Sequence, residues 1–118
     1  MGDLNCRRIL IVEDSPVVAA FATTALEELG CVVIGPAQNM AVARELATNE
    51  QIDAAIVDIR IRGEKAFSIC EILAARDIPF VLATGYADSA TPEKWRNRMQ
   101  LSKPYKLEDF RQALIEVL

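Results

Sequence analysis

Histidine is absent from the 118 residues of this chain. Its absence removes the Ser-His and Cys-His nucleophile systems and most zinc sites, and it excludes any domain that carries a phosphoryl group on an imidazole. Cysteine is scarce: Cys6, Cys31 and Cys70 are scattered, odd in number and far from any metal-ligand spacing. All three read as unpaired thiols suited to a reducing compartment, with Cys31 a small hydrophobe inside an apolar run. No apolar run approaches the length of a membrane span, and the N-terminus lacks the apolar core of a signal peptide. These absences predict a soluble, cytoplasmic protein. Basic charge is not in excess either, with 13 Lys+Arg against 17 Asp+Glu and a net charge of −4. That balance argues against contacts along a phosphate backbone, so no direct nucleic-acid binding is expected. No Gly-rich loop follows the first apolar run, which sets aside a nucleotide-binding enzyme. Internal repeats and low-complexity linkers are also missing, so one domain over residues 1–118 is expected.

What is present is a globular composition, 52% hydrophobic and 25% charged, on a chain long enough to bury a core without disulfides. Short apolar runs recur at Ile9–Val12, Cys31–Ile34, Ala54–Val57 and Phe80–Ala83, and a weaker one at Met99–Ser102 suits an edge strand. Each is continuous and not alternating, the pattern of parallel strands buried on both faces. Helical patterns separate them. Ser15-Pro16 is an N-cap followed by proline at the first helical position, and Gly30 closes that helix. Val18, Phe21, Ala22, Ala25 and Leu29 form its apolar stripe. A second helix starts after Asn39 with Ala43, Leu46 and Ala47 inward. A third turns Ala66, Ile69, Cys70 and Leu73 to the core. Thr91-Pro92-Glu93 opens a short fourth helix, in which Trp95 is a packing anchor. The fifth carries Glu108 and Asp109 in its first turn, which suits the helix dipole, and buries Leu107, Phe110, Leu114 and Val117. Strand and helix thus alternate five times, which predicts an α/β doubly wound fold with helices on both faces of a parallel sheet.

In such sheets ligands sit beyond the carboxyl ends of the strands. The first run ends in Glu13-Asp14, the third in Asp58, the fourth in Thr84 and the fifth in Lys103-Pro104. The fold would gather all of them around one crevice. Three carboxylates together repel one another unless a cation lies between them, and oxygen ligands select a hard ion such as Mg²⁺. Lys103 adds an ammonium and Thr84 a hydroxyl. A metal, an ammonium and a hydroxyl suit the equatorial oxygens of a transferring phosphoryl group, with Asp58 as the nucleophile.

These residues, in this order at strand ends, resemble the receiver domain of two-component response regulators over Ile9 to Val117. The resemblance implies a flavodoxin-like (βα)5 fold with strand order 2-1-3-4-5 and a phosphoacceptor at Asp58. It implies Mg²⁺ held by Glu13 (often through water), Asp14, Asp58 and the backbone carbonyl of Arg60, and a cis bond before Pro104. The implied donor is a sensor histidine kinase or a histidine phosphotransfer protein. The domain would catalyse only its own phosphorylation and dephosphorylation, and would signal through protein contacts. Leu82-Ala83-Thr84-Gly85-Tyr86, with Lys103-Pro104-Tyr105, further resembles an atypical subgroup marked by a Phe-Ala-Thr-Gly-type motif. Many of its members are stand-alone receivers or parts of stress-response phosphorelays.

Gln100 departs from the family, which carries Tyr or Phe three residues before the lysine as a rotating reporter of phosphorylation. Tyr86 and Tyr105 are the candidates to replace that aromatic, and each is equally a packing residue. The competing function is a pseudo-receiver, a protein-interaction module that keeps the fold without phosphate control. An aspartyl phosphohydrolase would need a second Asp near the nucleophile, and Ile59-Arg60-Ile61 supplies none. Arg60 and Arg62 otherwise read as a solvated loop face.

Overall fold

The computed structural model describes residues 4–84, 95, 98, 100–102 and 106–118, with the backbone alone at Thr84 and Ser102. Along the chain these form β1 (Arg8–Val12), α1 (Pro16–Glu28), β2 (Val32–Ala37), α2 (Met40–Asn49), β3 (Ala54–Asp58), β4 (Arg60–Ile61), β5 (Glu64–Lys65), α3 (Phe67–Ala75), β6 (Phe80–Thr84), β7 (Gln100–Ser102) and α4 (Leu107–Val117). Five strands make one parallel sheet in the order β2-β1-β3-β6-β7. Numbered by themselves in chain order, these strands read 2-1-3-4-5, as the resemblance to receiver domains implies. The remaining pair, β4 and β5, is a separate antiparallel hairpin.

The continuous apolar runs have a direct cause. Successive side chains of a strand point to opposite faces, so a strand covered on both sides needs apolar residues at every position. Leu10, Val12, Ala55, Val57, Phe80 and Leu82 face one core with Ala43 and Ala47 of α2 and Ile69, Cys70 and Leu73 of α3. Ile9, Ile11, Ala54, Ile56, Val81 and Ala83 face the other, with Ala22, Ala25 and Leu26 of α1 and Phe110, Ala113 and Leu114 of α4. The first two helices enter where their sequence signals stand. Ser15 Oγ accepts from the Val18 amide at 3.4 Å, and Asn39 Oδ1 accepts from the Val42 amide at 2.9 Å.

Three expectations are corrected. The second strand does not stop at Ile34 but runs through Gly35-Pro36 to Ala37. Proline is tolerated because β2 is an edge strand, with no second neighbour to receive an N–H. Gly35 adopts φ +97°, and a Cβ there would lie 2.7 Å from the Ala37 nitrogen, so only glycine follows this irregular register. In α1 the buried face is Ala19, Ala22, Ala25 and Leu26, whereas Phe21 is 40% exposed. Small alanines let the helix lie close to the sheet. The Phe21 ring is displaced to the flank, where its centroid is 6.0 Å from that of Phe110. In α4, Leu107 is exposed and Val117 half-buried, so the stripe narrows to Phe110, Ala113 and Leu114.

The expected helix at 91–93 lies outside the described residues, although Trp95 is buried as expected, edge-on to Phe80 with ring centroids 5.5 Å apart. The cis bond expected before Pro104 also lies outside the described residues; Gly35–Pro36 is cis. No helix among the described residues is long and apolar enough to cross a membrane.

All three cysteines are free, Cys6 exposed and the other two buried. Burial pushes the Cys70 thiol up to about 12, and burial also raises Cys31. The thiolate is the reactive form. In native protein near neutral pH, Cys6 is therefore expected to react with a thiol reagent at least about tenfold faster than Cys31 or Cys70. Mass mapping of a timed alkylation checks this, and early modification of Cys70 would contradict the packing of α3.

Candidate functional site

The two strands at the centre of the sheet end side by side. Pairing of Val12 with Val57 sets the end of β1 beside the end of β3, so Glu13 and Asp14 follow one strand where Asp58 closes the other. One carboxylate oxygen from each of Glu13, Asp14 and Asp58 lies within 4.8 Å of the others. Glu13 is 2% exposed and Asp58 8%, the two buried charged residues among those described, and Asp14 is half-buried. The sequence-predicted acidic trio is therefore one cluster.

Backbone donors hold each member. Glu13 Oε2 accepts from the Ser15 amide at 3.0 Å, which ties the first carboxylate to the entry of α1. Asp58 Oδ1 accepts from the Arg60 amide at 3.1 Å. Asp14 Oδ2 accepts from the Arg62 amide at 2.7 Å. The Glu13 amide donates to Ala37 O at 2.9 Å, so the end of β2 sets the backbone from which the acidic pair projects. Hydrogen bonds from neutral amides orient carboxylates without removing their charge. Three close carboxylates remain mutually repelling, and that repulsion is relieved when a divalent cation sits among them. An all-oxygen donor set suits Mg²⁺, which is bound by few carboxylates and keeps several waters. The residues present fit such an ion.

Of the other predicted site residues, Thr84, Arg60 and Gln100 are among those described. Thr84 is the last residue of β6, opposite Ser102 of β7, at the same end of the sheet. Arg60 follows Asp58 by two residues with its side chain exposed. Gln100 is exposed and opens β7 opposite Leu82. Lys103, Pro104, Tyr105, Gly85 and Tyr86 lie outside the described residues.

Sequence reasoning missed the hairpin of β4 and β5. Arg60 and Arg62 are solvated as expected, but not on a plain loop: Arg60 pairs with Lys65 and Ile61 with Glu64 around an Arg62-Gly63 turn. Ile61 is fully buried and anchors the hairpin in the core that α2 and α3 cover. The usable signal was Arg62-Gly63 between two dipeptides, since X-Gly pairs favour tight hairpin turns.

With fold and cluster in place, the chain's class follows. The family model described as the response regulator receiver domain matches residues 9–115, and the chain belongs to that family. Among curated proteins it is 29% identical over 112 residues to the transcriptional regulatory protein PdtaR of Mycobacterium tuberculosis. That match covers 92% of this chain and 55% of the relative, so the chain spans about half the length of the curated relatives it matches. Among solved structures it is similar to SdrG from Sphingomonas melonis Fr1, with 40% identity, a TM-score of 0.86, and coverage of 95% of this chain and 96% of that one. The BeF3-activated conformation of SdrG is similar at 39% identity and a TM-score of 0.80, covering 97% and 98% of the two chains.

Proposed function

We propose that this receiver accepts a phosphoryl group on Asp58 from a histidine kinase or a histidine phosphotransfer protein, in a Mg²⁺-dependent reaction, and signals through protein contacts. The observation that carries the reading is the buried Asp58 carboxylate at the end of a central strand, within 4.8 Å of Glu13 and Asp14. The similar protein SdrG has a BeF3-activated conformation, and the same anion is a natural probe for this chain. The Ala83-Thr84-Gly85-Tyr86 segment supports placement in the atypical subgroup of stand-alone receivers.

Glu13, Asp14, Asp58 and the carbonyl of Arg60 would hold the ion. Bound Mg²⁺ would supply positive charge to offset the phosphoryl oxygens and the carboxylates. The rest is the work of the chain. The Arg60 amide orients the Asp58 carboxylate at Oδ1. A carboxylate oxygen attacks phosphorus as the P–N bond to the donor imidazole breaks, and the imidazole leaves with the bonding pair and takes a proton from solvent. Lys103 and Thr84 supply an ammonium and a hydroxyl to the transferred group. Burial of Asp58 limits access of water to the acyl phosphate. The domain acts on itself and turns over no separate substrate, and the cytoplasm is where its donor would meet it.

Incubation with candidate histidine kinases and ATP, with labelled phosphate followed on this chain, tests the reading. Transfer is expected with Mg²⁺ and is expected to fall at least about a hundredfold with excess chelator; transfer at full rate in chelator would remove the metal's role. Asp14→Asn is expected to weaken Mg²⁺ binding about tenfold or more and to raise the melting temperature of the metal-free protein by relieving repulsion. Metal titration and thermal melts read both effects. An Asp14→Asn variant that binds Mg²⁺ like wild type would place the ion elsewhere.

A further inference from the structure

The β4–β5 hairpin does more than connect β3 to α3. Arg62 has φ +51° and Gly63 φ +82°, so both central turn positions are left-handed. That is the two-residue turn that favours Asn-Gly, and an arginine at its first position adopts a conformation few side chains accept. Arginine must therefore contribute something that the turn alone does not require. Its amide donates to Asp14 Oδ2 at 2.7 Å, and its side-chain Nε donates to Gln38 O at 3.0 Å. One residue thereby fastens three loops at the sheet's carboxyl end: β1–α1 through Asp14, β2–α2 through Gln38, and its own.

We propose that Arg62 is a positioning residue of the acidic cluster, whose side-chain bond to Gln38 O holds the hairpin so that its amide fixes the rotation of the Asp14 carboxylate for a divalent cation. The proposal rests on the reading that the cluster binds Mg²⁺. A carboxylate turns freely about its Cβ–Cγ bond unless one oxygen is held, and a held ligand loses less entropy on binding a metal. Gln38 O is a backbone acceptor one residue past β2, so the clasp ends on main chain beside the sheet and not on another side chain.

Simple electrostatics predicts the opposite effect. Arg62 carries a positive charge near a cation site, and by Coulomb's law its removal should tighten Mg²⁺ binding. A weakening on removal therefore isolates positioning from charge.

The test uses the full chain with Mg²⁺ alone as the ligand, followed by backbone NMR. Arg62→Asn makes the turn Asn-Gly, which retains the left-handed conformation and the amide donor but cannot reach Gln38 O. Mg²⁺ affinity is expected to fall about threefold to tenfold, the worth of one hydrogen bond, at an unchanged or raised melting temperature. In metal-free protein, amide exchange at position 62 is expected to quicken by a similar factor. Should Arg62→Asn not fold, Arg62→Gly adopts the same φ and serves in its place. An unchanged or tighter affinity, or an unchanged exchange rate, overturns the proposal while leaving the metal site standing. Wild-type protein that binds no Mg²⁺ at all overturns both.

Discussion

Asp58→Ala is expected to take up no phosphoryl group from a histidine kinase, a phosphotransfer protein or a small phosphodonor, a complete loss of acceptor activity. Asp58→Asn should lose it equally, because the amide keeps the shape of the carboxylate and discards its nucleophilic oxygen. The fold should survive either change. Asp58 is buried beside Glu13 and close to Asp14, so replacing it removes one of three mutually repelling charges and no part of either apolar core. The melting temperature of metal-free Asp58→Asn should match or exceed that of wild type. Labelled phosphate and thermal melts measure the two effects separately. Stoichiometric aspartyl phosphorylation persisting in Asp58→Ala would place the acceptor elsewhere.

Phe80→Ala is expected to cost about 3–5 kcal/mol of folding stability, a large share of the roughly 5–15 kcal/mol by which a domain of this size is stable. Phe80 is among the largest fully buried side chains and opens β6. Its ring meets Trp95 edge-on at 5.5 Å, and the guanidinium carbon of Arg98 stands 4.5 Å from its centroid. Truncation leaves a cavity in the core that α2 and α3 cover and removes the ring that Trp95 and Arg98 meet. Urea unfolding with an unchanged m-value would report the loss directly. A change below about 1 kcal/mol would mean that this ring is not part of the core.

The strands and the acidic cluster were legible in the sequence for the same physical reason. Ile9–Val12, Ala54–Val57 and Phe80–Ala83 are covered on both faces, so their burial is written as unbroken apolar runs. Doubly covered parallel strands leave the chain only their ends for polar chemistry, and Glu13, Asp14 and Asp58 stand there. What could not be read has equally local causes. The apolar run stops at Ile34, before Gly35-Pro36, and only its place at the sheet edge lets β2 continue through that proline to Ala37. The face of α1 was read only in part: Ala22 and Ala25 lie on it as expected, but Ala19 carries too little apolar bulk to outweigh Phe21 in a periodic pattern, although close packing favours it. Two-residue strands such as Arg60–Ile61 and Glu64–Lys65 have no period to detect. The bond from Arg62 to Asp14 joins residues 48 apart through a backbone amide, and an amide leaves no mark on residue type. Side-chain chemistry is legible at strand ends, whereas backbone donors that complete a site emerge only from the fold.

The most direct test is reductive trapping of the acyl phosphate. Wild-type protein is treated with a small phosphodonor and Mg²⁺, reduced with borohydride, digested and mapped by mass spectrometry. Borohydride converts an aspartyl phosphate to homoserine, so the modified position is marked permanently. Conversion at Asp58 alone, dependent on Mg²⁺ and lost with chelator, is the predicted result; conversion at another carboxylate, or none while phosphate is incorporated, would contradict Asp58 as the acceptor.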